Sequence, residues 1–178
     1  YYIDIPFVGS QYLDTDITWF GYIFGAGASS ANTTYVPKTL KYVRVGSVAS
    51  GEENKEYYDP SDTDRCANVF GGCFMGSEVL EEIVLPEGLY DINGFSSCKA
   101  LTDVHIPDSV RIVEGFDGCV NLTNITIPDG VTSVGGFSGC TGLRSISLPN
   151  SVKSIVVNAF NGCTGLTSVT IGDGVIYI

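Results

Sequence analysis

A short phrase of the form Leu-x-x-aliphatic-x-aliphatic recurs along this chain. Four copies are followed by a proline, at Pro86, Pro107, Pro128 and Pro149, each 21 residues after the last, and Gly172 takes the proline position of a fifth copy. Because the last two aliphatic positions flank one variable position, each phrase predicts a short strand with one buried face. Proline cannot donate to a β-ladder, so it marks the end of the strand.

Each phrase is followed by a second aliphatic pair and then by a Phe-x-x-Cys turn. The pairs are Leu89/Ile92, Val110/Val113, Val131/Val134, Val152/Ile155 and Val175/Ile178. The turns are Phe95/Cys98, Phe116/Cys119, Phe137/Cys140 and Phe160/Cys163, with an irregular copy expected at Phe70/Cys73. One such unit cannot bury its apolar face alone, whereas stacked units cover one another. The repeat therefore predicts a β-rich solenoid in which equivalent side chains form columns about 4.8 Å apart.

Fainter copies of the phrase lie near the start of the chain. Leu40-x-x-Val43-x-Val45 predicts a further strand, and Ile3-Asp4-Ile5 matches the end of the phrase. We expect a single solenoid over residues 1–178, with a long variant repeat at 1–45, an acidic insertion at 46–69 and regular repeats of 21–23 residues at 70–178. Because repeat arrays normally end in polar caps, we expect this to be an internal fragment of a longer solenoid.

The pattern Phe160-x-x-Cys163-x-x-Leu166-x-x-Val169-x-Ile171 and its counterparts resemble the BspA-like leucine-rich repeats of bacterial surface proteins. The resemblance covers about residues 67–178, and the stretches 5–9, 20–26 and 36–41 look like a long variant repeat of the same family. It implies a right-handed superhelix of short strands, turns and brief 3-10 segments, with little α-helix. It also implies a secreted or wall-attached protein that acts in adhesion or recognition.

The formal net charge of −11 argues against two classes of partner. Nucleic acids require a basic patch, and anionic membrane surfaces attract basic segments, neither of which this sequence offers. No run approaches the roughly 18 apolar residues of a membrane span, so we expect no membrane insertion.

Most of the negative charge lies in one stretch. Residues 50–91 hold eleven acidic and two basic residues, for a net charge of −9. The candidate binding residues there are Tyr57, Tyr58, Asp59, Asp62 and Asp64. Clustered carboxylates suit a recognition loop or a weak calcium site, and the alternative is a solvated surface insertion. Because the stretch lacks the later Gly and Glu of a calcium loop, we predict neither a metal nor a cofactor.

The outward positions of the strands form a second candidate site. They include Tyr42, Arg44, Glu81, Glu82, Asp103 and His105, followed in later copies by small hydroxyl residues. Such a surface is flat and wettable and offers no deep pocket. A catalytic His105 would need a nucleophile and an orienting partner, so a surface histidine is the simpler interpretation, and we expect no enzymatic activity.

The six cysteines have two interpretations. Five occupy one position of the repeat beside the phenylalanine, which indicates a column of buried, reduced thiols. Side chains fixed in parallel on successive coils rarely reach the geometry of a disulfide. Cys66 lies outside the register, so a Cys66–Cys73 bridge stays an alternative.

Taken together, these features favour a monomeric, non-enzymatic recognition or adhesion module of an extracellular or cell-surface bacterial protein. The expected partner is a host extracellular protein or glycan. The alternative is a structural spacer within a larger surface protein.

Overall fold

The computed structural model describes residues 2–5, 39–45, 74–85, 87 and 89–178. These residues form short strands joined by turns, with no helix among them. The strands are β1 (Tyr2–Ile5), β2 (Tyr42–Val45), β3 (Glu82–Val84), β4 (Asp91–Ile92), β5 (Asp103–His105), β6 (Ile112–Val113), β7 (Ser133–Val134), β8 (Ser145–Leu148), β9 (Ser154–Ile155) and β10 (Ser168–Ile171).

The strands stack in two rows, and every pairing is parallel. The first row consists of the sheet β1-β2-β3-β5 and the pair β8-β10, whose strands come from the leucine phrases. The second row is the sheet β4-β6-β7-β9, whose strands come from the second aliphatic pairs. A regular repeat, such as 82–92 or 145–155, therefore contributes one strand to each row, and the described residues form the β-solenoid that the spacing predicted.

The core runs along the inside of both rows as columns of equivalent side chains. The rings of Phe95, Phe116 and Phe137 stack with centroids 5.5 Å apart and interplanar angles of 9–10°. This separation exceeds the rung spacing of about 4.8 Å, so the rings are offset, as aromatic quadrupoles prefer. All three rings are fully buried.

One predicted turn has the wrong register. The ring that stacks on Phe95 belongs to Phe74, at a centroid distance of 5.7 Å, and not to Phe70. Phe74 lies 21 residues before Phe95, so the regular period extends one repeat further than the Phe-x-x-Cys pattern suggested. Ser77 takes the cysteine position, and its Oγ accepts a hydrogen bond from the amide of Leu80. Phe70 and Cys73 lie outside the described residues.

The expected 3-10 segments are tight turns in the described part of the chain. In the turn Phe116–Cys119, the amide of Cys119 donates to the carbonyl of Phe116, and Gly118 at the third position has a φ of 71°. A positive φ at that position defines a type II turn, whereas a 3-10 helix needs negative φ throughout. The left-handed residue therefore prevents each turn from continuing as a helix.

Two coils depart from the regular pattern. The phrase at 122–127 buries Ile125 and Ile127 but does not form a strand, and its bond from Arg144 N to Thr123 O is long at 3.3 Å, against 2.9 Å for Thr167 N to Arg144 O. In the last described coil, Val169 is 46% exposed, whereas its register partner Ile146 is 3% exposed. The core is therefore thinnest at that end.

Candidate binding surface

The outward side of the first row, here called the strand face, brings most of the predicted site residues together. In its register, Tyr42 opposes Glu82, and Glu82 opposes Asp103. In the next line along the strands, Arg44 opposes Val84, and Val84 opposes His105. Arg44, Glu82, Asp103 and His105 are exposed and Tyr42 is half-buried, so the predicted outward orientation of these side chains is confirmed.

Glu81 organises one edge of the strand face. Its carboxylate accepts a hydrogen bond from the Lys41 ammonium and a second from the Tyr42 hydroxyl, the latter at 2.8 Å. The bond with Glu81, and then its charge, raise the pKa of Lys41. The bonds from Lys41 and Tyr42 hold the pKa of Glu81 below its usual range. The Tyr42 ring is therefore anchored at the surface with its orientation fixed.

Glu82 and Asp103 form a carboxylate pair across two adjacent parallel strands. Neither residue makes a salt bridge with another residue of the described ranges. Like charges directly opposite in a sheet destabilise it. The pair is thus a position where an external donor or cation would be stabilising.

The remaining predicted site residues lie in the acidic insertion. Tyr57, Tyr58, Asp59, Asp62 and Asp64 are outside the described residues, as are Cys66 and the 46–69 boundary. Their role as a recognition loop or a calcium site stays a prediction. Within the described ranges, no group of three or more His, Cys, Asp or Glu side chains is placed to hold a metal ion.

The cysteine column consists of free thiols. Cys98, Cys119 and Cys140 are buried and Cys163 is half-buried, and all four are unbridged. Burial raises the pKa of Cys98, Cys119 and Cys140 to about 12. The prediction of reduced structural thiols is therefore confirmed for these four residues, and a nucleophilic role is disfavoured because thiolate is scarce.

Sequence reasoning missed a second surface, on the side of the second row. A groove of about 280 Å³ lies beside the second-row strands, and its lining includes Glu114, Asp117, Gly136, Val156 and Val157. We call it the acidic groove. The groove follows from residues that differ between coils: Glu114, Gly135 and Val156 occupy one position of three successive repeats. Because a Cβ on Gly135 would lie 2.8 Å from the Cβ of Val156, the glycine lets the Val156 side chain pack over it.

Two carboxylates near the groove are electrostatically strained. Burial, and then the charge of Glu114, raise the pKa of Asp91 to about 6, and the buried Oδ1 of Asp91 has no hydrogen-bond partner among the described residues. Burial, and then Asp117, raise the pKa of Glu114. The signal in the sequence was that Asp91 stands where the other coils carry Ile112, Ser133 and Ser154.

The two rows of parallel strands and the columns of Leu, Phe and Cys define a leucine-rich-repeat solenoid. A family model described as the BspA type leucine rich repeat region matches residues 67–178 in six copies. The match spans more than half of the chain, and the chain belongs to this family.

Two solved structures show the likeness in three dimensions. A leucine-rich-repeat protein of T. pallidum is 29% identical with a TM-score of 0.60, over 76% of this chain and 60% of that one. A leucine rich cell surface protein of Faecalibacterium prausnitzii is 31% identical with a TM-score of 0.52, over 56% of this chain and 28% of that one. This chain thus spans less than two thirds of the length of either relative. No curated protein matches it.

The described residues contain no helix long and apolar enough to cross a membrane.

Proposed function

We propose that this chain is a non-enzymatic recognition module of an extracellular or cell-surface bacterial protein, and that it binds a host protein or glycan through the strand face. The relative from Faecalibacterium prausnitzii is described as a cell surface protein, which supports the location. The flat polar surface supports binding rather than catalysis, because catalysis needs convergent groups in an enclosed site.

The observation that carries the proposal is the carboxylate couple Glu82–Asp103, which makes no salt bridge with the described residues, beside the anchored ring of Tyr42. A fixed aromatic ring offers apolar contact area at little entropic cost, and its neighbouring carboxylates accept hydrogen bonds from hydroxyl, amide or basic groups. A surface selected for stability alone would not place two carboxylates opposite each other.

The test is a binding assay of the purified chain against host matrix proteins and a glycan array. For a hit, we expect the double variant Glu82→Ala/Asp103→Ala to weaken binding at least about tenfold, as loss of a central polar pair does at interfaces. The matched control is Ser145→Ala/Ser168→Ala, at equivalent positions of two later coils, which should leave binding unchanged. Equal loss in both variants, or none in either, contradicts recognition at Glu82 and Asp103.

A structural spacer is the second candidate, and one observation favours it. In β8 and β10, the outward positions of the strand face carry short hydroxyl side chains, namely Ser145, Ser147, Ser168 and Thr170. Absence of binding to every host matrix protein and every glycan tested would favour the spacer. Deletion of residues 50–64 tests the acidic insertion separately: loss of binding in that variant alone would move the recognition site from the strand face to the insertion.

A further inference from the structure

The acidic groove is separate from the strand face, since the residues that line it follow the second-row strands or belong to the Phe-x-x-Cys turns. Its floor is backbone. Gly115 and Gly136 lie on successive coils with φ values of 80° and 68°, and their carbonyl oxygens accept hydrogen bonds from the amides of Phe95 and Phe116, each one coil earlier. These bonds between coils fix the backbone at the floor of the groove.

One end of the groove is negatively charged. Glu114 and Asp117 line it, and Asp91 lies close enough to Glu114 for the two charges to interact. Among the described residues, none that lines the groove is basic, and none of these three acids is in a salt bridge. No basic side chain of the described residues balances the charge at this end, although Asp117 Oδ1 accepts a hydrogen bond from the amide of Ser138 at 3.0 Å. Because this charge lies in a concave, partly desolvated site, it attracts cations more strongly than a flat surface would.

The other end of the groove is apolar. Val156 and Val157 line it, and Val157 is 81% exposed. A β-branched apolar residue in water gains free energy when a partner covers it, so this end suits an aliphatic side chain. No repeat periodicity requires Val157, because it falls within the two-residue lengthening of that coil between Ile155 and Phe160.

The two ends have a defined separation. Glu114 and Val156 occupy equivalent positions two coils apart, as the register of β6, β7 and β9 shows. At about 4.8 Å per rung, they are about 10 Å apart along the solenoid axis. In the polyproline II conformation, residues i and i+3 point to the same side and lie about 9 Å apart. An extended peptide of that form matches the groove.

We propose that the acidic groove binds an extended peptide segment in which a lysine or arginine is followed, three residues later, by an aliphatic residue. The basic side chain pairs with Glu114 and Asp117, and the aliphatic one covers Val156 and Val157. The partner is thus a protein segment with a basic and an aliphatic side chain three residues apart. This site is independent of the proposed recognition at the strand face.

The test uses the full chain and the peptide acetyl-Ala-Pro-Arg-Pro-Pro-Val-Pro-Ala-amide, whose prolines favour polyproline II. Amide shifts in NMR titrations give both the affinity and the location. We expect saturable binding with shifts at Gly115 and Gly136, and an affinity that falls with added salt. Replacing the peptide arginine by citrulline keeps its shape without its charge and should weaken binding at least about fivefold.

Protein variants separate the two ends of the groove. Glu114→Gln and Val157→Ser should each weaken binding about threefold or more, because each removes one of the two contacts. Asp129→Asn removes an exposed acid that does not line the groove. It should leave the peptide affinity nearly unchanged, because it lowers only the overall negative charge. Absence of saturable binding up to about 1 mM peptide, shifts confined to other residues, or equal weakening by Asp129→Asn would each overturn the proposal.

Discussion

The Sγ of Cys140 lies 3.1 Å from the carbonyl oxygen of Phe116, one coil earlier in the chain, and donates a hydrogen bond to it. The same carbonyl also accepts the amide of Cys119, which closes its own turn. Cys98, Cys119 and Cys163 make the equivalent bond to the phenylalanine of the preceding coil, at 3.0–3.1 Å. The cysteine column is therefore a series of links between coils, and not only a set of small apolar groups.

The thiols of this column should resist modification until the protein unfolds. In a Cys66→Ser/Cys73→Ser background, we expect a disulfide reagent at pH 8 to modify Cys163 first, because it is half-buried, and Cys119 only after denaturation. Mass spectrometry of the labelled peptides gives the order. Labelling of Cys119 as fast as Cys163 in the native state would mean that the column is open to solvent.

The phenylalanine stack should dominate stability at its centre. Phe116→Ala removes a fully buried ring that stacks on both sides, and we expect a loss of about 3–5 kcal/mol in the free energy of unfolding. Phe160→Ala is the matched control, since that ring is only partly buried and should cost less. Urea denaturation measures both. A loss below about 1 kcal/mol for Phe116→Ala contradicts a tightly packed column.

Two glycines with similar φ should respond differently to a methyl group. A Cβ on Gly136 would lie within 3.0 Å of the backbone of the preceding coil, whereas a Cβ on Gly139 would meet its nearest neighbour at 3.7 Å. Both alanine variants pay about 1 kcal/mol for a left-handed conformation, and Gly136→Ala should lose a further 1–3 kcal/mol through overpacking. Equal unfolding midpoints for the two variants would show that the coils separate at little cost.

Ser97 holds a position that glycine occupies in other coils. Its φ is 60°, and its counterparts Gly76, Gly118, Gly139 and Gly162 have φ values of 71–74°. Because left-handed conformations are costly for residues with a Cβ, Ser97→Gly should raise stability by about 0.5–1 kcal/mol. Asn158→Gly, at another left-handed position, should gain less, since asparagine tolerates this conformation. Thermal melts compare them, and a destabilised Ser97→Gly variant contradicts the strain.

Asp91 should make stability depend on pH near neutrality. Its pKa in the folded protein is about 6, against an ordinary value of 3.8, so the folded state binds a proton that the unfolded state does not between these values. Stability should therefore rise as the pH falls from 7 towards 5, with a total effect of at most about 3 kcal/mol.

The variants Asp91→Asn and Asp129→Asn isolate this effect. Asp91→Asn should be more stable than the parent at pH 7 and should have a flatter profile, whereas Asp129→Asn, at an exposed position outside both proposed sites, should keep the parent profile. Measurements above pH 5 keep Glu78 and Glu81 ionised, because ion pairing lowers their pKa values. A parent protein whose stability falls on acidification over this range would contradict the assignment.

Residue spacing predicted the parts of the fold that repeat. The position of every leucine-phrase strand except the copy at 122–127, the burial of the first four aliphatic pairs and the outward side of His105 followed from periodicity. The fifth pair, Val175/Ile178, does not follow it, because Ile178 is 91% exposed. The register of the first regular coil did not, because Phe70-x-x-Cys73 matches the motif while Phe74 matches the period. Where a motif and a period disagree, the period decides, since only residues at equal spacing can stack.

The sequence by itself determined the solenoid, because a repeat of 21 residues forces equivalent side chains into columns and each column needs its neighbours to be buried. It also determined which side chains share the strand face. Only the tertiary structure decided that Asp91, Glu114 and Asp117 meet, and that Val157 lies at the far end of the same groove. These residues break the repeat and come from different coils, so their proximity depends on how successive coils are offset.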